Sequence, residues 1–230
     1  MINVKFEVID LENQLDILKA FLKRGGKTAD YIAKHTGLDF SGDIDAEIER
    51  IYHQNFDIMQ KKCVEFQKAW DEKRDFINQE FTKIFGEEFN FDCVSRVNLN
   101  PISPRFLDEK TFDMDFKQDN NEMLKTSAHE IVHFAWFEVL ARAFPEIPRT
   151  HYESPNLVWL VSEIAVEPIF RFSKLHTLSS TLPAYSQFYE DKIDGKTVAE
   201  NANLIFEQSE NIKDFQKNIL EFFQKHNYSY

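Results

Sequence analysis

The chain has 230 residues, 43% of them hydrophobic and 23 of them Phe, which is enough for a sizeable core and excludes a disordered tail. Its net charge of −12 repels phosphate backbones and anionic lipid, so neither nucleic acid nor a membrane surface is an expected partner. Only six Gly occur, none between positions 87 and 194, which excludes the phosphate loop, the dinucleotide-binding fingerprint and the G-x-S-x-G nucleophile elbow.

The opening MINVKFEVIDLENQ carries acids where a secretory signal would be basic and then apolar. Cys63 and Cys93 form neither a C-x-x-C pair nor a disulfide framework. The richest apolar stretch, 156–172, is interrupted by Glu163, Glu167, Pro168 and Arg171, so no membrane span is expected and a cytoplasmic location is the default. Leu11, Leu15, Leu18, Phe21 and Leu22 fall at helical spacing and predict a helix over 11–24, stopped by Gly25-Gly26. A short helix follows over Thr28–Lys34. From Asp43 the apolar positions run at helical spacing to Ile84 with no Pro or Gly before Gly86, predicting one long helix over 43–85, or two with a kink. Its stripe packs along a domain or offers a surface for self-association.

Residues 89–99 and 111–116 alternate as strands do, with Phe112, Met114 and Phe116 on one face and Asp113 and Asp115 on the other. Breaks at Asn100-Pro101 and Ser103-Pro104 suggest a small antiparallel pair. Helices are then predicted over 121–143, 155–172, 186–192, 197–208 and 211–226. The fold class is α+β and predominantly helical, with a helical N-terminal region over 1–85 and a core with C-terminal helices over 86–230.

Within the 121–143 helix stands His129-Glu130-Ile131-Val132-His133. Residues four apart share a helix face, so both imidazoles can address one cation, while Glu130 can reach a water on it. Two nitrogen ligands, a Lewis acid that lowers the pKa of water and a carboxylate to take its proton are what a zinc hydrolase requires.

This motif resembles that of the zincin metallopeptidases. The metzincin extension is excluded, because its Gly position is Trp136 and its last His position is Val139. In the gluzincin (thermolysin-like) branch a Glu on a following helix completes the site within E-x-x-x-D, and the matching residues are Glu163 and Glu167. The resemblance implies a zincin-like core with the H-E-x-x-H helix as its active-site helix and a Zn2+ held by His129, His133 and Glu163. It further implies Glu130 as general base, Glu167 as the carboxylate that orients a ligand imidazole, and a peptide or protein substrate. Glu replaces the usual Asp at 167, and Pro168 directly after it disfavours helical backbone there, so the helix is expected to bend or end at that point.

An oxyanion donor could come from His176, Tyr185, Tyr189 or Tyr152, and the sequence does not choose among them. The strand 111–116, as an edge, could align an extended peptide. Two other readings stand beside the peptidase. A di-iron carboxylate bundle needs two E-x-x-H motifs, and only Glu130–His133 is present. A non-enzymatic helical interaction protein with a structural or lost metal site would be favoured by a fourth protein ligand such as His151 or His176.

Overall fold

Ile2, Val4 and Phe6 are buried while Asn3 and Lys5 face solvent, the alternation of a strand with one covered face. In the computed structural model, which describes residues 1–39 and 41–229, this segment is strand β1 (Ile2–Val8). The N-terminal region is therefore not wholly helical. The chain continues through helices α1 (Leu11–Leu22), α2 (Gly26–Thr36) and α3 (Ile44–Phe85) to β2 (Phe91–Asn98), β3 (Arg105–Phe106) and β4 (Thr111–Asp115). Helices α4 (Asn120–Ala143) and α5 (Leu157–Arg171), the hairpin β5 (Lys192–Ile193) and β6 (Lys196–Thr197), and helices α6 (Val198–Gln208) and α7 (Ile212–Lys225) complete it. The α+β, mainly helical class is as the sequence indicates.

Two compact units interleave along the chain. One comprises residues 2–74 and 91–126; the other comprises residue 1 with 75–90 and 127–230. Helices α3 and α4 each contribute to both, so the 1–85 segment is shared between them.

The first unit holds a four-stranded sheet in the order β1-β2-β4-β3. The expected antiparallel pair is corrected here: β2 runs parallel to both β1 and β4, and only the two-residue β3 is antiparallel. The 12 residues between β2 and β4 suffice to carry the chain back, with the breaks at Pro101 and Pro104 turning it through β3. β4 lies between β2 and β3 and so is not the edge expected of it.

Both faces of β4 are covered. Asp113 is fully buried, with Arg96 Nε donating to its Oδ1 at 2.9 Å, and Asp115 lies 2.9 Å from the Nε2 of His35. The outer edge of β1 is closed by a side chain rather than a strand. Gln67 of α3 accepts from the Phe6 N–H at 3.1 Å and donates to the Val4 carbonyl at 3.0 Å, substituting its amide for a neighbouring backbone.

The second unit is built on α5 and most of α4, whose middle turns are buried on nearly every side. Residues 127–140 of α4 are buried except at His129 and Glu138, and residues 158–170 of α5 are buried except at Trp159. The Gln216 side chain on α7 donates to the Trp136 carbonyl at 2.8 Å, and Trp136 meets Phe215 edge to face. Helix α5 does not end at Pro168. It continues to Arg171, with the Phe172 N–H reaching the Pro168 carbonyl at 2.9 Å, because burial of Ile164, Val166, Ile169 and Phe170 outweighs the one missing N–H. The helix expected over 186–192 is a single 3-10 turn, Ser186–Tyr189. No helix among the described residues is long and apolar enough to cross a membrane.

Candidate metal centre

His129 and His133 lie one turn apart on α4, whose start is set by Asp119: its Oδ1 accepts from the N–H groups of Asn121 and Glu122. Glu163 stands near the middle of α5. The two helices bring three donor atoms together. His129 Nε2 and His133 Nε2 are 3.1 Å apart, and Glu163 Oε2 lies 3.5 Å from the first and 3.3 Å from the second. Ligand atoms about 2.0–2.1 Å from a tetrahedral Zn2+ stand about 3.3 Å from each other, so the triangle has the size of one face of that coordination shell.

The protonation pattern points the same way. His129 Nδ1 is 2.8 Å from the carbonyl oxygen of Pro183. A carbonyl only accepts, so Nδ1 carries the proton, and in the neutral ring the lone pair lies at Nε2, facing Glu163 and His133. The lone pair of His129 Nε2 thus meets Glu163 Oε2 and His133 Nε2 at one point, and the His133 tautomer with its lone pair at Nε2 would make all three atoms acceptors. A single proton can bridge two of them, whereas a divalent cation satisfies all three.

Without such a cation, burial disfavours the charged His129 ring, but the Glu163 carboxylate and the nearby charge of Glu130 outweigh it and raise its pKa above the ordinary imidazole value. The site thus attracts positive charge. His133 is fully buried and the Glu163 side chain is 3% exposed, while His129 keeps 19% exposure, so solvent reaches the cluster from the His129 side. Glu130, adjacent to His129, is also buried, at 6% exposure.

These three residues are the only cluster of metal-ligating groups found among the described residues, and neither His151 nor His176 joins it. His176 is exposed, with its Nδ1 at 2.6 Å from the Ser173 carbonyl. Three protein ligands, two imidazoles and a carboxylate, are the donor set of catalytic zinc sites, which leave a position for water.

Glu167 does not orient a ligand imidazole. One turn beyond Glu163 and 2% exposed, it accepts from Arg171 Nε at 2.7 Å, from the Tyr189 hydroxyl and from Asn203 Nδ2 at 3.4 Å. For His129 that part is taken by the Pro183 carbonyl. Sequence reasoning could not find that group, because every residue carries a backbone carbonyl.

The four oxyanion candidates fare differently. Tyr152 is buried and stacked on Phe137, with ring centroids 4.5 Å apart. Tyr185 is 44% exposed and sits edge-on to Phe188. Tyr189 is tied to Glu167; burial, then that bond, pushes its hydroxyl pKa well above the usual phenol range. His176 lies in the separate 3-10 turn Lys174–Thr177. Comparison with known proteins finds no family model, no curated protein and no solved structure that matches this chain.

Proposed function

We propose that this chain is a zinc-dependent hydrolase of peptide bonds, with His129, His133 and Glu163 as metal ligands and Glu130 as general base. The observation that carries the reading is the convergence of the three donor atoms at 3.1–3.5 Å from two helices whose middle turns are largely buried. The H-E-x-x-H spacing with a Glu on the next long helix is similar to the gluzincin arrangement and supports the same assignment. When bound, Zn2+ would supply Lewis acidity, polarising the scissile carbonyl and making a water acidic enough to lose its proton near neutral pH.

The residues divide the remaining work. Glu130 stands beside His129 and is not one of the three converging donors, so in this reading its carboxylate takes a proton from the attacking water and returns it to the leaving amine. His133 and Glu163, shut away from solvent, hold their positions without competition from water. His129 gives the centre its opening to solvent, on the side from which a substrate would arrive.

The test separates binding from chemistry. Glu130→Gln is expected to retain about one zinc per chain and to lower peptide hydrolysis by roughly 10²–10⁴-fold, the size of a lost general base. His133→Ala is expected to lose both. Metal content by mass spectrometry beside hydrolysis of a denatured protein substrate reads the two effects, and a Glu130→Gln protein with undiminished turnover would falsify the mechanism.

A further inference from the structure

The segment that supplies the Pro183 carbonyl is fixed at a second point. Six residues on, the Tyr189 hydroxyl donates to Glu167, which lies one turn beyond Glu163 on α5. Between these anchors Phe188 is fully buried, and its N–H closes a turn onto the Tyr185 carbonyl at 3.0 Å. Tyr185, 44% exposed, sits edge-on to Phe188, and Gln187 Nε2 donates to Asp191 at 2.8 Å. One short stretch therefore joins the residue that carries the first histidine ligand to the helix that carries the carboxylate ligand.

We propose that Pro183–Tyr189 is a strap that holds His129 in its metal-ready orientation, with Tyr189 as the positioning residue that pins the strap to α5. This rests on the reading of the cluster as a zinc site. A carbonyl that accepts from Nδ1 selects the tautomer whose Nε2 lone pair faces the metal and fixes the plane of the ring. Any residue at position 183 could present such a carbonyl, so the specificity lies in what holds it there. Phe188 supplies burial without direction. The Tyr189–Glu167 bond supplies direction, and Glu167 is itself held by Arg171 on its other oxygen. Losing the tyrosine hydroxyl frees the strap's far end, and His129 then samples orientations that do not bind metal.

Tyr189→Phe tests this, since it removes one oxygen and keeps the ring. Zinc affinity is read by competition with a chromophoric chelator, and strap mobility by amide exchange over 179–189 of the metal-free protein. The expected result is zinc affinity about 10-fold weaker, at the lower end of what losing a ligand's supporting partner costs. Stoichiometry should stay at one zinc and exchange should quicken in 179–189 while staying as in wild type along 127–140 and 158–166, a localisation that a merely structural role would not give; the unfolding midpoint of the metal-free protein should fall only as far as the one bond lost to buried Glu167 requires. Pro183→Gly, which keeps the carbonyl and loosens the chain, should weaken zinc in the same direction.

Zinc affinity within twofold of wild type in both variants would overturn the strap while leaving the metal site intact. So would strap exchange unchanged in Tyr189→Phe. Failure of the wild-type protein to take up zinc would instead remove the metal-site reading on which the strap depends.

Discussion

Asp113 shows at the level of one residue how far a charge can be pushed by its surroundings. It faces Arg96 across the parallel pair of β2 and β4 and has no exposure at all. Burial raises its pKa from 3.8 to about 6, against the opposing pull of Arg96 and Asn98. A carboxyl with a raised folded-state pKa binds a proton that the unfolded chain has released, so between pH 3.8 and about 6 stability falls as pH rises. Over that window the loss attributable to Asp113 is roughly 3 kcal/mol. Asp113→Asn should flatten the pH dependence of urea-unfolding free energy between pH 4.5 and 6.5, and an unaltered slope would show that another group titrates there. Among the site residues, legibility followed side-chain chemistry. His129, His133 and Glu163 could be singled out because ligands must be those residue types and because Glu163 and Glu167 stood alone in an apolar helix. The partners of Glu167 could not, since Tyr189 and Asn203 reach it from 22 and 36 residues away.

Elements were legible where a pattern has one physical outcome. The 43–85 segment, free of Pro and Gly, is a single helix ending before Gly86, whose φ of +73° suits a residue without a side chain. Strand direction was not legible, because alternation fixes which face is buried but says nothing of which neighbour pairs. At Pro168 the local cost is real, yet the helix does not end there, because tertiary burial along α5 carries it on to Arg171. The alternation of Ile2, Val4 and Phe6 was available as a strand signal, but what closes that strand's edge was not. The Gln67 amide satisfies two backbone groups of β1, one of them on the buried Phe6. Gln67→Ala should leave both without their partner and cost about 1–3 kcal/mol in equilibrium unfolding. A change below about 0.5 kcal/mol would mean that water replaces the amide at no penalty.

For the molecule as a whole, metal binding and folding stability should be one measurement. Zn2+ that binds only the folded chain adds RT ln(1 + [Zn]/Kd), about 2.7 kcal/mol at a free concentration 100 times Kd. For a chain of this length that corresponds to a rise of about 5–10 °C in unfolding midpoint. The 39 acidic residues and net charge of −12 complicate the comparison, since a strongly acidic surface attracts any divalent cation. Two controls separate the effects. Mg2+ at the same concentration reproduces surface attraction but is poorly served by two imidazoles, so it should shift the midpoint little. His133→Ala removes a proposed ligand with no exposure and leaves the surface charge unchanged, so its midpoint should become insensitive to Zn2+. Because the proposed ligands come from α4 and α5 alone, the gain should fall within the unit formed by residue 1 with 75–90 and 127–230. Amide protection conferred by zinc should concentrate in 127–171 and around 183, where the donors and their carbonyl support lie. A zinc-dependent rise of the same size in His133→Ala would assign the stabilisation to the acidic surface and remove the central reason for treating the three residues as one site.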